Sequence, residues 1–168
     1  MSPVLTLADL PRAARDWRAE GAVIVLAAGC FDPLHLGHIQ HLEAAKQFGN
    51  ILVVGVASDR VVREYKSKPG GPKRPFMTDT VRCGIVGGLR CVDAVAVNDH
   101  CCELIEAIKP HVYVKGTEYQ GNLTPDLKAE EELLKQYGGR LEFASGAVIS
   151  SSTSYLAGVA IEFPIPRT

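Results

Sequence analysis

Short, largely apolar runs recur along the chain, at residues 23–28, 51–57, 92–97, 112–115 and 141–143. They have strand length and lack the alternation of a half-wetted strand, so they read as strands buried on both faces. Between them, at 35–48, 78–89, 101–108, 127–137 and from about 151 to 160, apolar positions return every three or four residues. That is the spacing of helices with one buried stripe. Strand and helix patterns in alternation predict βαβ units, hence an α/β fold: a parallel sheet of about five strands with helices on both faces. Ligands in such sheets bind beyond the carboxyl ends of the strands.

Three stretches depart from this rhythm. Residues 1–21 set Leu7, Leu10, Ala14 and Trp17 among charges, which predicts an amphipathic helical extension docked on the domain. Residues 66–75 hold four cations, three prolines and two glycines and predict a loop, either simply solvated or a lid over phosphates. The tail, residues 159–168, contains Phe163-Pro164-Ile165-Pro166 and cannot be helical. With no repeat and no linker, all 168 residues are expected to form one domain.

Composition narrows the function classes. A formal net charge of −1 gives no general pull toward nucleic acid or an anionic membrane surface. No apolar stretch approaches the roughly 20 residues of a membrane span. Five cysteines without C-x-x-C spacing argue against a disulfide framework or a zinc site, and Cys30, Cys83 and Cys91 read as small buried hydrophobes. A cytoplasmic protein is expected.

The chemistry concentrates where the first long strand hands over to a helix, in Gly29-Cys30-Phe31-Asp32-Pro33-Leu34-His35-Leu36-Gly37-His38. Histidines three residues apart share one face of a first helical turn. The helix start adds unpaired N–H groups and a partial positive charge of about half a unit, and the glycines leave room for a ligand near the backbone. The combination predicts a phosphate site. His41 extends the run to three imidazoles, but at about 100° per residue it falls far round the helix from His35, so one metal ion cannot take all three. His41 therefore reads as a solvated surface residue. Asp32 is free to brace the turn.

Gly29-Cys30-Phe31-Asp32 with His35-Leu36-Gly37-His38 resembles the H-x-G-H nucleotidyltransferase superfamily, the cytidylyltransferase-like proteins. Ser58-Asp59, Lys66, Arg74-Pro75, Arg82, Val92-Asp93, Lys115-Gly116-Thr117-Glu118-Tyr119, Gly138-Gly139-Arg140-Leu141 and the run Ser150–Ser154 continue the likeness in order over residues 22 to 158. They are most similar to the adenylyltransferase domain of ADP-heptose synthases, with glycerol-phosphate cytidylyltransferases as near relatives. The resemblance implies a Rossmann-like sheet. It also implies transfer of AMP from ATP to a sugar 1-phosphate, such as a heptose 1-phosphate, with release of pyrophosphate. The alternatives are a cytidylyltransferase acting on glycerol 3-phosphate or another small phospho-alcohol, and a catalytically silent nucleotide-binding regulator.

Carried over residue by residue, the resemblance implies catalytic roles for His35, His38 and Lys66. Cys30, Phe31, Gly37, Lys115, Gly116, Ser151, Ser152, Thr153 and Ser154 would bind the nucleotide, the hydroxyls either capping the last helix or holding phosphates. Lys68 and Arg82 would meet the substrate phosphate, unless Arg82 caps a helix. Mg²⁺ would arrive with the triphosphate rather than in a protein cage, and the branch is commonly homodimeric. This chain departs from the branch at Lys115-Gly116-Thr117-Glu118-Tyr119, where similar proteins carry Lys-Gly-Gly-Asp-Tyr. It carries no sugar-kinase domain, so a separate kinase is expected to supply the phosphorylated sugar.

Overall fold

The computed structural model describes residues 1–67 and 70–144. Lys68, the serine–threonine run with Ser151, Ser152, Thr153 and Ser154, the helix expected near 151–160 and the tail lie outside the described residues.

The elements in chain order are β1 (Val4–Leu5), α1 (Leu10–Ala19), β2 (Ile24–Gly29), α2 (Leu36–Lys46), β3 (Ile51–Ala57), α3 (Asp59–Lys66), α4 (Asp79–Gly87), β4 (Ala94–Asn98), α5 (Cys101–Ile108), β5 (Val112–Lys115), α6 (Pro125–Lys135) and β6 (Arg140–Phe143), with a 3₁₀ turn at Thr117–Tyr119. All strand pairs are parallel, in the order β1-β4-β3-β2-β5-β6. Among the described residues the sheet thus has six strands, close to the five or so expected. The sixth is β1, in which Val4 and Leu5 pair with Val95 and Ala96 on the β4 edge. Residues 1–21 are therefore part of the sheet as well as a helix, and Leu7 is exposed while Leu10 and Ala14 are buried.

Alternation along the strands sorts the core into two layers. Val25 and Ala27 of β2 pack with Leu42 and Ala45 of α2 and Cys83 and Val86 of α4. Ile24 and Leu26 face the other way, onto Leu10 of α1, Leu104 and Ile108 of α5, and Leu127 and Leu134 of α6. Each sheet face is thus covered by its own helices, as a buried parallel sheet requires.

From β2 the chain builds outward through β3 and β4, then crosses to β5 and β6 on the other side. The direction reverses between β2 and β5. This Rossmann-like order leaves a crevice outside the carboxyl ends of those two strands, the place where α/β sheets hold ligands. No helix among the described residues is long and apolar enough to cross a membrane.

Helix α3 lies where the sequence pattern shows no helix. Only Val62 of its residues is buried, so it carries almost no apolar stripe. Its signals are terminal instead: the Ser58 hydroxyl accepts the Val61 N–H at 3.3 Å, Asp59 opens the first turn, and Arg63 and Lys66 close the last. Lys66 therefore ends a helix rather than sitting inside a loop.

Candidate active site

Beyond β2 the backbone turns sharply at Phe31, whose φ of 52° is left-handed. For a bulky residue that conformation costs about 1–3 kcal/mol. Burial of the ring opposes it: Phe31 is almost inaccessible and its edge lies over Gly29. A Cβ at position 29 would stand 3.1 Å from that ring, which accounts for the glycine.

Asp32 is buried and fully engaged. Arg74 Nε donates to it at 2.7 Å, and the backbone N–H groups of Phe76 and Met77 donate at 2.9 and 3.2 Å. Ser67 Oγ donates to the Arg74 carbonyl at 3.5 Å. The basic loop is thus closed at its base and fastened to the histidine turn. Arg74 is the partner that the sequence does not announce.

Arg82 does not line the crevice. Its side chain is wholly inaccessible, and its guanidinium donates to the carbonyls of Met77 (3.0 Å), Cys30 (2.7 Å) and Ala57 (2.7 Å) and to the Asp59 carboxylate (2.7 Å). It knits the turn after β2 to the end of β3 and the start of α4. Asp59 and Asp79 add to this join by each accepting the other's backbone N–H.

His35 caps α2 from an extended backbone instead of belonging to its first turn, and the pair meets by stacking. The ring centroids lie 3.6 Å apart at 23°, while Phe31 meets the His38 ring edge-on at 5.1 Å. The His35 backbone N–H donates to His38 Nδ1 at 3.3 Å. With Nδ1 accepting, a neutral His38 carries its proton on Nε2 and is a donor there. Burial foremost, then the nearby charges of His35, His41 and Lys66, hold its pKa down to about 3. Burial also lowers His35. The pair is therefore neutral at physiological pH, with the end of α3 close enough for Lys66 to act on it. His41 is not a solvated residue: its Nδ1 lies 2.7 Å from the Ala144 carbonyl, tying α2 to the segment after β6.

The His38 shift has a measurable consequence. Unfolded, the ring titrates near 6.5; folded, near 3. As pH falls across that window the unfolded chain gains a proton that the native state refuses, so stability is complete above pH 6.5 and declines below it. The gap in urea midpoint between wild type and His38→Gln is expected to shift steadily against the wild type from pH 6.5 to 4. A gap that stays constant with pH would mean that the ring is not held neutral.

Lys115 ends β5, and its side chain follows Tyr113 onto the face covered by α5 and α6, opposite α2. Its Nζ donates to Tyr113 Oη at 3.2 Å and lies 3.9 Å from Glu130 Oε2. The Glu118 carboxylate folds over Gly116, so any side chain at 116 would have to displace it. His35 and His38 thus stand together after β2, Lys66 ends α3, and Lys115 and Gly116 follow β5 at the carboxyl edge of the sheet. Tyr113 and Glu130 are polar members of the Lys115 group that sequence reading misses. The available signal was a glutamate within the leucine stripe of α6.

Known proteins share this framework. The family model described as cytidylyltransferase-like matches residues 26–153. The chain is 40% identical over 144 residues to the bifunctional protein HldE of Pelobacter propionicus, covering 84% of this chain and 28% of that protein. It is likewise 40% identical over 141 residues to HldE of Wolinella succinogenes, covering 82% and 29%. The chain spans less than a third of the length of these curated relatives. Among solved structures, a lipopolysaccharide core biosynthesis protein from Thermoplasma volcanium superposes with a TM-score of 0.57 at 28% identity, covering 73% of this chain and 94% of that one.

Proposed function

The chain belongs to the cytidylyltransferase-like family and is a nucleotidyltransferase, and on that footing we propose that it transfers AMP from ATP to a heptose 1-phosphate. The products are an ADP-sugar and pyrophosphate. The observation that carries this reading is the stacked, neutral His35–His38 pair at the head of α2, beside the point where the strand order reverses. The sugar-phosphate oxygen attacks the α-phosphorus and pyrophosphate leaves in line. Catalysis of this kind is positioning and charge stabilisation. His38 Nε2–H and the first N–H groups of α2 meet the phosphate oxygens, and Lys66 adds positive charge from the end of α3. Lys115 and Gly116 hold the nucleotide from the opposite layer. The choices of a heptose and of ATP both follow the branch that the sequence motifs resemble, the adenylyltransferase domain of ADP-heptose synthases.

Mg²⁺ enters as part of the nucleotide substrate. Among the described residues no group of three or more His, Cys, Asp or Glu side chains could cage an ion, and Asp32 is already committed to Arg74 and two backbone N–H groups. Phosphates and water then supply the coordination that Mg²⁺ prefers.

Pyrophosphate release, measured with ATP and CTP in turn against heptose 1-phosphate and glycerol 3-phosphate, tests the assignment. Release is expected with ATP and the heptose phosphate. Turnover with CTP and glycerol 3-phosphate alone would make the chain a phospho-alcohol cytidylyltransferase. Nucleotide binding without release from any acceptor would make it a regulator.

A further inference from the structure

We infer that Glu130 is a positioning residue for the transfer reaction, holding the Lys115 ammonium, together with Tyr113, at the carboxyl edge of the sheet. The inference rests on the proposed role of Lys115 in nucleotide binding. On α6, Leu127, Glu130 and Leu134 are the buried positions. Packing alone would place a third leucine in the middle of that stripe. A buried carboxylate paired with an ammonium is no more stabilising than apolar side chains of the same volume, so the core gives no reason for it.

The local geometry supplies one. Tyr113 Oη accepts from Lys115 Nζ at 3.2 Å. The ammonium stands 3.9 Å from Glu130 Oε2, an atom with no hydrogen-bond partner in the described structure. The rings of Tyr113 and Tyr119 lie 5.3 and 5.0 Å from Nζ. Two aromatic faces, one hydroxyl and one carboxylate therefore define where the end of a long flexible stem sits. The Lys115 side chain keeps 16% of its surface open to solvent at this edge. An ammonium has three N–H donors, and the Tyr113 hydroxyl takes one. Fixing the stem beforehand removes its ordering cost from nucleotide binding.

Glu130→Gln keeps the shape but removes the charge. Calorimetric titration with ATP is expected to show a Kd raised about 5–10-fold, together with a lowered thermal midpoint because the largely buried Lys115 ammonium loses its counter-charge. In a Lys115→Met background the same change is expected to add nothing. Should Lys115→Met not fold, Lys115→Gln, which can still hydrogen-bond Glu130, takes its place. If the Lys115 variant binds ATP and CTP like wild type, Lys115 is not in the nucleotide site and the inference falls with that reading. If the Lys115 variant weakens binding but Glu130→Gln does not, or weakens it equally in both backgrounds, the positioning role alone is overturned.

Discussion

Replacing His38 with alanine is expected to lower turnover by about 10²–10³-fold, the usual loss when one donor to a developing charge is removed. That is about 2.7–4 kcal/mol of transition-state stabilisation. The nucleotide KM should move far less, because the imidazole contributes most where charge shifts during transfer. Two features of the structure make the loss large. His38 Nδ1 is occupied by the His35 N–H, so the whole donor capacity of the ring rests on Nε2. The ring is also held in place by stacking on His35 and by the edge of Phe31, so it needs no reorganisation when substrate arrives. Single-turnover measurement of pyrophosphate release reads the effect directly. Far-UV circular dichroism should be unchanged, since His38 belongs to neither core layer. A loss below tenfold would remove His38 from the reacting centre.

The parts of this protein that the sequence discloses are those with a local signature. The strands at 51–57 and 112–115 are legible because both sheet faces are covered and their buried positions must be apolar, leaving runs that only Lys115 at a strand end breaks. The histidine turn is legible because its residue types and glycine spacing have few other uses. Elements without a hydrophobic period escape. β1 is two residues long and α3 buries only Val62, so neither builds a stripe or a run. Long-range partners escape as well. His41 looks solvated on a helical projection because Ala144 is 103 residues away in the chain and covers it only after folding. The same holds for Asp32, whose choice between bracing the turn and meeting ligand is decided by Arg74, 42 residues on. Which face a strand-end lysine takes follows from register: Tyr113 and Lys115 share one side, and only the placement of α6 reveals the carboxylate waiting there.

Arg82 is the residue for which an ambiguous sequence reading turns into the strongest stability prediction. An arginine preceding an apolar helical stripe serves equally well as a phosphate ligand or as a cap, and the difference lies in what surrounds the guanidinium. Here it meets three carbonyls and one carboxylate from three separate segments. Arg82→Leu takes the guanidinium from three carbonyls and leaves the Asp59 carboxylate only the Asp79 N–H, and removing one partner of a buried charged network costs about 3–5 kcal/mol. For a domain of this size that corresponds to a fall in Tm of roughly 6–20 °C. Arg82→Lys separates the two roles. A lysine offers a point charge, sufficient for a phosphate, but its ammonium cannot reproduce the planar fork that reaches four acceptors at once. The lysine variant is therefore expected to lose nearly as much thermal stability as the leucine variant. An Arg82→Lys protein that melts like wild type, while an Arg82→Leu protein keeps its Tm and shows a raised KM for the sugar phosphate, would move Arg82 from the scaffold into the substrate site. The buried position and the 2.7 Å contacts to Cys30 and Ala57 argue for the scaffold, because those two carbonyls set the direction in which the chain leaves β2 and β3 toward the crevice.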